Sequence, residues 1–254
     1  AVACGLTNAL AMVALWILYA SYANLGRDFT AFGWEIQLLE TGILAAFLCP
    51  VTSVGPFPRT PPPVVTIWAF RWLIARIMLG AGLIKLRCDA CWRDLTCLAY
   101  HYETQPIPNP LSRVLHHAPL WFHQVGVVAN HAVELVVPVF AFGPRLARTA
   151  AGLAFLGFQG FLIVSGNLSF LNWLTLVPAV ACFDDEALQR VLPKGVVAWA
   201  GRSGHRSPSP PVTLTTRLPA ISMTDPPSGR GARGRKTTCE DTRTHAYGQI
   251  PRLR

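Results

Sequence analysis

Long apolar segments separated by short polar turns make up the first 186 residues of the chain. A helix of about 20 apolar residues crosses the hydrocarbon core of a bilayer, so each long segment is a candidate span. The pattern therefore predicts an all-α integral membrane protein with a bundle of about five transmembrane helices. The predicted spans are, in chain order, Ala1–Leu25, Phe29–Cys49, Val64–Leu86, His123–Phe142 and Thr149–Phe183.

The last apolar segment, Thr149–Phe183, is too long for a single upright span. Gly166 and Asn167 interrupt it near its middle. The segment is therefore either a hairpin of two half-length helices or one tilted helix with a break. Asn167 also begins an N-glycosylation acceptor sequence, but its apolar setting predicts that the site is not used.

One polar loop, residues 87–122, lies between the third and fourth predicted spans. The short turn Gly143–Arg148 contains two arginines and no acidic residue, and short basic loops stay on the cytoplasmic side of a membrane. The polar loop is then luminal. A single crossing by Thr149–Phe183 puts the C-terminal segment in the lumen, whereas a hairpin puts it in the cytosol.

Composition separates the C-terminal segment from the rest of the chain. Hydrophobic residues make up 52% of the sequence and charged residues 14%, against about 25% charged residues in soluble domains. Residues 1–186 contain equal numbers of basic and acidic side chains, so residues 187–254 account for the whole net charge of +9. We predict a membrane domain at residues 1–186 and a basic Pro/Ser/Arg-rich disordered tail at residues 187–254. A neutral membrane domain gives no argument for nucleic-acid binding, and we predict none.

Three of the seven cysteines, Cys88, Cys91 and Cys97, lie in the polar loop. We predict a structural disulfide among them, because the lumen is oxidising. The C-x-x-C spacing of Cys88 and Cys91 also occurs in thiol–disulfide oxidoreductases, but no thioredoxin-like pattern surrounds it. The histidines of the loop lack zinc-ligand spacing, and no motif of a hydrolase or metalloprotease is present. The sequence therefore predicts no catalytic residue, no cofactor and no metal site.

Several charged residues lie inside predicted spans, where a lone charge costs at least about 2.5–3.5 kcal/mol. Glu35 and Glu40 share one helix, and Arg71 and Arg76 share another. Opposite signs on different spans predict that these residues pair within the bundle. Such pairs are either structural or part of a substrate or proton pathway, and the structural interpretation explains them more simply.

A second polar group, Asn130, His131 and Glu134, lies in the fourth predicted span. Spacings of three and four residues place Glu134 on the same helix face as both other residues. We interpret the group as a buried polar layer, with proton transfer by a His–Glu pair as the alternative. Pro138 is expected to kink this helix.

Five segments have long, specific motifs. They are FGWEIQLLETG (Phe32–Gly42), FRWLIARIMLGAGLIK (Phe70–Lys85), CWRDLTC (Cys91–Cys97), HYETQPIPNP (His101–Pro110) and SGNLSFLNWLT (Ser165–Thr175). Together they resemble the lipase maturation factor family, over a region from about Gly5 to Asp185. Details of the motifs favour one of the family's paralogues over the other.

The resemblance implies a multi-pass protein of the endoplasmic reticulum membrane that acts as a chaperone-like factor without catalytic residues. Its partners would be the lipid bilayer and, as clients, secreted homodimeric lipases such as lipoprotein lipase. A loop rich in aromatic residues suits transient contacts with such a client, and the candidate client-facing residues are Trp92, Tyr100, His101, Tyr102 and Glu103. An integral membrane enzyme or transporter that uses the buried Glu, Arg and His residues is the alternative.

The chain departs from the family pattern at its C-terminal end. Family members continue beyond Asp185 into a long luminal domain, whereas residues 202–254 resemble nothing in the family. We therefore expect a truncated splice form or a mispredicted gene end, with an unrelated tail. Cys88 is also unexpected at its position, so we interpret its C-x-x-C spacing as incidental.

Overall fold

The structure, a computed structural model, describes residues 2, 6–26, 30, 32–51, 54, 61–105, 109–166 and 168–203. These residues belong to one unit of the chain, Ala1–Pro208. Every regular element among them is a helix, which confirms the predicted all-α class. The predicted acceptor Asn167 lies outside the described residues, as does the larger part of the predicted tail, residues 204–254.

The helices follow the apolar segments and divide the polar loop into three short pieces. The α-helices of the described residues are, in chain order, α1 Ala9–Gly26, α2 Gly33–Ala46, α3 Val64–Cys88, α4 Ala90–Arg93, α5 Cys97–His101, α6 Pro110–His116, α7 Leu120–His131, α8 Val137–Phe140, α9 Arg145–Ser165, α10 Leu171–Ala179, α11 Asp185–Val191 and α12 Lys194–Ser203. The short helices α4, α5 and α6 belong to the polar loop. A π-helical turn, Ala132–Val136, joins α7 to α8, and a 3-10 turn, Val180–Cys182, extends α10.

Three of the described helices, α1, α3 and α9, are long and apolar enough to cross a membrane. The segment from α10 through its 3-10 turn is apolar but shorter, and α2 has only 14 residues. The segment from α7 to α8 is helical throughout, but the π-helical turn divides it. The membrane class is confirmed, and three helices of the described part of the chain have the full length of a span.

The core lies where α3, α9 and α10 meet the segment from α7 to α8. Ile74 and Met78 of α3 pack there with Phe155 of α9, and all three side chains are buried. Gly152 permits the close approach of α9 to the end of α10, because a Cβ atom at this position would lie 2.9 Å from Cβ of Cys182. Small residues at such contacts are typical of membrane helix packing.

The last apolar segment forms a hairpin, as one of the two predicted alternatives had it, but its first arm α9 has 21 residues and is not half-length. α10 returns beside α9, so that Nε of Arg148 donates a hydrogen bond to the Cys182 carbonyl oxygen at 3.0 Å. At the same end, Nε of Arg145 lies 2.5 Å from Oδ2 of Asp184. The start of α9 and the end of α10 therefore lie together at one end of the bundle.

The first residues of the predicted tail belong mostly to two helices in the structure, α11 and α12. The local sequence explains the start of α11. Asp184 caps the helix by accepting a hydrogen bond from the Ala187 amide at 2.9 Å, and this bond holds the pKa of Asp184 below its ordinary value. Glu186 and Arg190 form an exposed i,i+4 ion pair at 2.5 Å, which favours a helix.

Candidate functional site

The polar loop is a folded unit that a disulfide closes. Cys91 of α4 is bonded to Cys97 of α5, with Cα atoms 4.7 Å apart. Asp89 caps α4 by accepting a hydrogen bond from the Cys91 amide at 3.0 Å. Of the three candidate cysteines, Cys88 is left as an exposed free thiol. Since the disulfide consumes both thiols, the nearby group of Asp89, Cys91 and Cys97 offers no thiolate to a metal ion.

Differential alkylation tests this pairing. We expect maleimide to modify Cys88 before reduction of the purified chain, and Cys91 and Cys97 only after reduction. Peptide mass spectrometry reads the modified positions. The control is the Cys97→Ser variant, in which Cys91 should become reactive before reduction. Modification of Cys91 in the unreduced parent chain, or a disulfide that includes Cys88, contradicts the pairing.

Side chains of the polar loop complete the C-terminal end of α9. The last carbonyl groups of a helix have no partners within the helix. Oγ of Ser112 donates to the Ser165 carbonyl oxygen at 2.6 Å, and Nδ2 of Asn109 donates to the Gly166 carbonyl oxygen at 3.3 Å. Asn109 also caps α6, because its Oδ1 accepts a hydrogen bond from the Leu111 amide at 2.9 Å. The loop is therefore fixed to the membrane bundle by hydrogen bonds.

A buried ion pair connects α3 to the helix that follows the loop. Nζ of Lys85 lies 2.5 Å from Oε1 of Glu134 and 2.9 Å from Oδ1 of Asn130. Nδ2 of Asn130 donates to Oε2 of Glu134 at 2.9 Å, so each member contacts both others. Glu134 is only 3% exposed. Full hydrogen bonding is what makes a buried carboxylate tolerable, and these three residues are called the Lys85 triad below.

The backbone of the π-helical turn places Glu134 beside Lys85. Glu134 lies in the π-helical turn Ala132–Val136, and such turns often occur at functional sites in helices. Gly82 of α3 lies opposite this turn, where a Cβ atom would be 2.6 Å from Cδ2 of Leu135 and 3.0 Å from Cβ of Glu134. The absence of a side chain at Gly82 therefore brings the two helices within reach of the ion pair.

Trp92 links the triad to the polar loop. Nζ of Lys85 lies 4.8 Å from the centroid of the Trp92 ring, within the range of a cation–π contact. Nε2 of His131 is 3.0 Å from the Trp92 carbonyl oxygen. Of the predicted group, the structure brings Asn130 and Glu134 together, while His131 faces the loop. Lys85, the central member, is absent from the predicted group; its position in the last turn of a predicted span was the signal.

The four charged residues predicted to pair occupy separate places. Nη2 of Arg76 donates to Oε2 of Glu40, so α3 and α2 are joined by an ion pair. Glu35 instead accepts a hydrogen bond from the Tyr19 hydroxyl group of α1. The acidic side chains of α2 therefore contact two different helices.

Arg71, the remaining member, binds backbone rather than carboxylate. Its Nε donates to the Ala181 carbonyl oxygen at 2.8 Å, and its guanidinium lies 5.3 Å from the Trp68 ring centroid. The carbonyl belongs to the 3-10 turn after α10, where helix carbonyls lack intrahelical partners. Arg71 thus stabilises the packing of α10 on α3.

The candidate client-facing residues differ in exposure. Tyr100 is 62% exposed, and Glu103 is exposed as well. Trp92 and His101 are partly buried. Tyr102 is only 5% exposed, so its prediction as a client-facing residue needs correction: its ring packs beside His123 of α7, with ring centroids 5.9 Å apart.

His101 and Tyr102 have an environment that disfavours charge. Burial, and then the positive charge of Lys85, lower the pKa of His101 below its ordinary value. Burial raises the pKa of Tyr102. Both shifts favour the neutral form of the side chain, in which each can still form hydrogen bonds.

Comparison with known proteins finds the same family that the sequence motifs indicated. Residues 1–190 match the family model described as the lipase maturation factor transmembrane domain. The chain is 56% identical over 192 residues to lipase maturation factor 1 of Homo sapiens, covering 75% of this chain and 34% of that protein. The corresponding protein of Bos taurus is 56% identical over 193 residues, covering 75% of this chain and 34% of that protein.

The second paralogue is less similar. Lipase maturation factor 2 of Homo sapiens is 39% identical over 189 residues, covering 68% of this chain and 26% of that protein. The predicted preference for one paralogue is thus confirmed, and it is lipase maturation factor 1. The chain spans about a third of the length of these first relatives. No solved structure matches the chain.

Proposed function

The chain belongs to the lipase maturation factor family, and from this premise we propose that it is a chaperone-like factor of the endoplasmic reticulum membrane. In this proposal it supports the folding and assembly of secreted homodimeric lipases, with lipoprotein lipase as a client. It does so by contact and not by catalysis. The transmembrane-domain family and the apolar helices place the chain in a membrane.

The observation that carries the proposal is the folded polar loop on the end of the bundle. A disulfide closes the loop, and hydrogen bonds to Ser165 and Gly166 hold it on α9. This rigid support presents outward-facing side chains, of which Tyr100 is 62% and Val114 67% exposed. Exposed aromatic and aliphatic residues on a preorganised surface favour binding of a partner.

The proposed orientation puts this loop in the lumen, where secreted lipases fold. The short basic turn before α9 supports a cytoplasmic position for the other end of the bundle. Because α9 and α10 form a hairpin whose ends meet at Arg148 and Cys182, α11 begins at the same end of the bundle as α9.

The alternative, an enzyme or transporter, would need its buried charges to meet at one place. Arg76 pairs with Glu40, Arg71 binds a backbone carbonyl, and Glu134 binds Lys85. Since these contacts lie at three separate positions and each charge has a partner there, the geometry favours a structural role for the charges.

Substitution of the exposed loop surface tests the proposal. The Tyr100→Ala/Val114→Ser double variant should lower recovery of co-precipitated lipoprotein lipase by at least about fivefold, a loss of about 1 kcal/mol of binding free energy. Both side chains are exposed, so folding should be unaffected. Lipase recovered on the immunopurified chain, from cells that secrete the lipase, is the measurement.

The matched control lies on the opposite end of the bundle. Leu146 is an apolar residue at the start of α9 that is even more exposed than the two loop residues, and the Leu146→Ser variant should recover as much lipase as the parent chain. Equal recovery by the loop variant and this control, at equal abundance in the membrane, contradicts the proposal.

A further inference from the structure

A groove of about 430 Å³ lies between α5, α7 and α9. Its walls are mostly apolar: α9 contributes Phe158, Phe161 and Leu162, α7 contributes Phe122 and Val125, and α5 contributes Leu98. The volume is within the range of sites that bind small molecules, about 300–1,000 Å³. Asn130 of the Lys85 triad also lines the groove.

One end of the groove is polar and the other is apolar. His101, Tyr102 and Ser165 line the end beside the polar loop, where Nε2 of Gln105 lies 3.3 Å from Nε2 of His101 and 3.5 Å from the Ser165 carbonyl oxygen. Ala154 lines the other end, about 16 Å further along α9 at 1.5 Å per residue. A ligand that matches both ends has a long apolar part and a hydrogen-bonding group at one terminus.

The mouth of the groove opens on the outer surface of the bundle, on a side that we infer to face the bilayer. Val125 and Phe161 line the groove and are exposed, and Phe161 belongs to α9, a helix long and apolar enough to span a membrane. At this depth the surroundings of a membrane protein are hydrocarbon chains and not water. The polar end lies at the level of the loop, where lipid ester groups are found.

We propose that the groove binds one acyl chain of a glycerophospholipid from the surrounding bilayer, with the ester group beside His101, Tyr102 and Ser165. Among the described residues that line the groove, none is cationic, so an uncharged ester fits this end better than the carboxylate of a free fatty acid. Tyr100 and Val114, the two residues substituted in the lipase-binding test, are not among the lining residues, so the two experiments change different side chains.

Two glycines of α9 give a matched pair of variants. Gly157 lines the groove, whereas Gly160 does not. A Cβ atom at either position would have no neighbour within 4 Å. A leucine side chain at position 157 therefore fills the groove, while the same substitution at position 160 leaves it open. Val125→Trp narrows the mouth from α7 and serves as a second blocking variant.

The full chain, reconstituted in phosphatidylcholine nanodiscs, is photolabelled with phosphatidylcholine that carries a diazirine in one acyl chain. We expect Phe158 and Leu162 to be labelled more strongly than Leu153, an exposed residue of α9 outside the groove. Gly157→Leu should lower labelling of the groove about tenfold, or about 1.4 kcal/mol, and Gly160→Leu should not change it. Retention of the Cys91–Cys97 disulfide shows that each variant is folded.

Several results would overturn the proposal. Groove residues labelled no more than Leu153 would show only the general contact of any membrane helix with lipid. Equal labelling of the Gly157→Leu and Gly160→Leu variants would show that the lipid binds outside the groove. If Gly157→Leu does not fold, unchanged labelling of the Val125→Trp variant would show this instead. Labelling by a diazirine fatty acid but not by the phospholipid would reject the ester ligand.

Discussion

Replacement of Lys85 by methionine is expected to destabilise the membrane domain by about 3–5 kcal/mol, the usual cost of removing one partner of a buried ion pair. The substitution leaves the Glu134 carboxylate, which is 3% exposed, without its cation. Asn130 alone offers it one hydrogen bond, from Nδ2 at 2.9 Å. For a domain of this size the midpoint of thermal unfolding should fall on the order of 10 °C, and unfolding of the chain in detergent measures it.

Two controls distinguish the loss of the Lys85–Glu134 ion pair from a nonspecific loss of stability. The Lys85→Met/Asn130→Leu/Glu134→Leu triple variant should recover most of the lost stability, because an apolar set of similar volume needs no charge compensation and leaves no buried amide without a hydrogen bond. Arg190→Met breaks the exposed Glu186–Arg190 pair of α11 and should cost less than about 1 kcal/mol. If Lys85→Met lowers the stability of the domain no more than Arg190→Met does, the Lys85 triad does not stabilise the fold.

Replacement of Gly82 by alanine is expected to destabilise the domain by about 1–3 kcal/mol through overpacking. The new Cβ atom would lie 2.6 Å from Cδ2 of Leu135 and 3.0 Å from Cβ of Glu134. Both distances are too short for carbon atoms, whose favourable separation is about 3.5–4.0 Å. α3 must therefore move away from the π-helical turn, and this movement lengthens the contact between Lys85 and Glu134.

Gly80 provides the control on the same helix. A Cβ atom there would have no neighbour within 4 Å, so Gly80→Ala should be neutral or stabilising by up to about 1 kcal/mol, as alanine is the better helix former. Thermal unfolding of both variants under one set of conditions gives the comparison. Equal effects of the two substitutions would show that the close contact at Gly82 carries no energetic cost.

The membrane class and the polar loop were predictable because their signals are local. A run of apolar residues long enough to cross a bilayer is visible without knowledge of its neighbours, and so are the prolines and polar residues that end it. Motifs such as CWRDLTC also lie within single segments, and they sufficed to identify the family that the comparisons then confirmed.

The polar contacts were predictable only in part. Spacing along one helix places Asn130 and Glu134 on the same face, and the structure joins them. The same reasoning paired the acidic residues of α2 with the basic residues of α3, yet Glu35 binds Tyr19 and Arg71 binds a backbone carbonyl. Charge signs on two helices define possible pairs, whereas the distances between side chains depend on how the helices pack.

Taken by itself, the sequence determined that this protein is helical, lies in a membrane, carries one polar loop and belongs to its family. Only the tertiary structure decided that Lys85 joins Asn130 and Glu134, that Tyr102 is buried, and that the last apolar segment is a hairpin. The physical reason is that these features are contacts between residues far apart in the chain. They depend on close approach of helices, as at Gly82 and Gly152, which no local pattern of apolar and polar residues encodes.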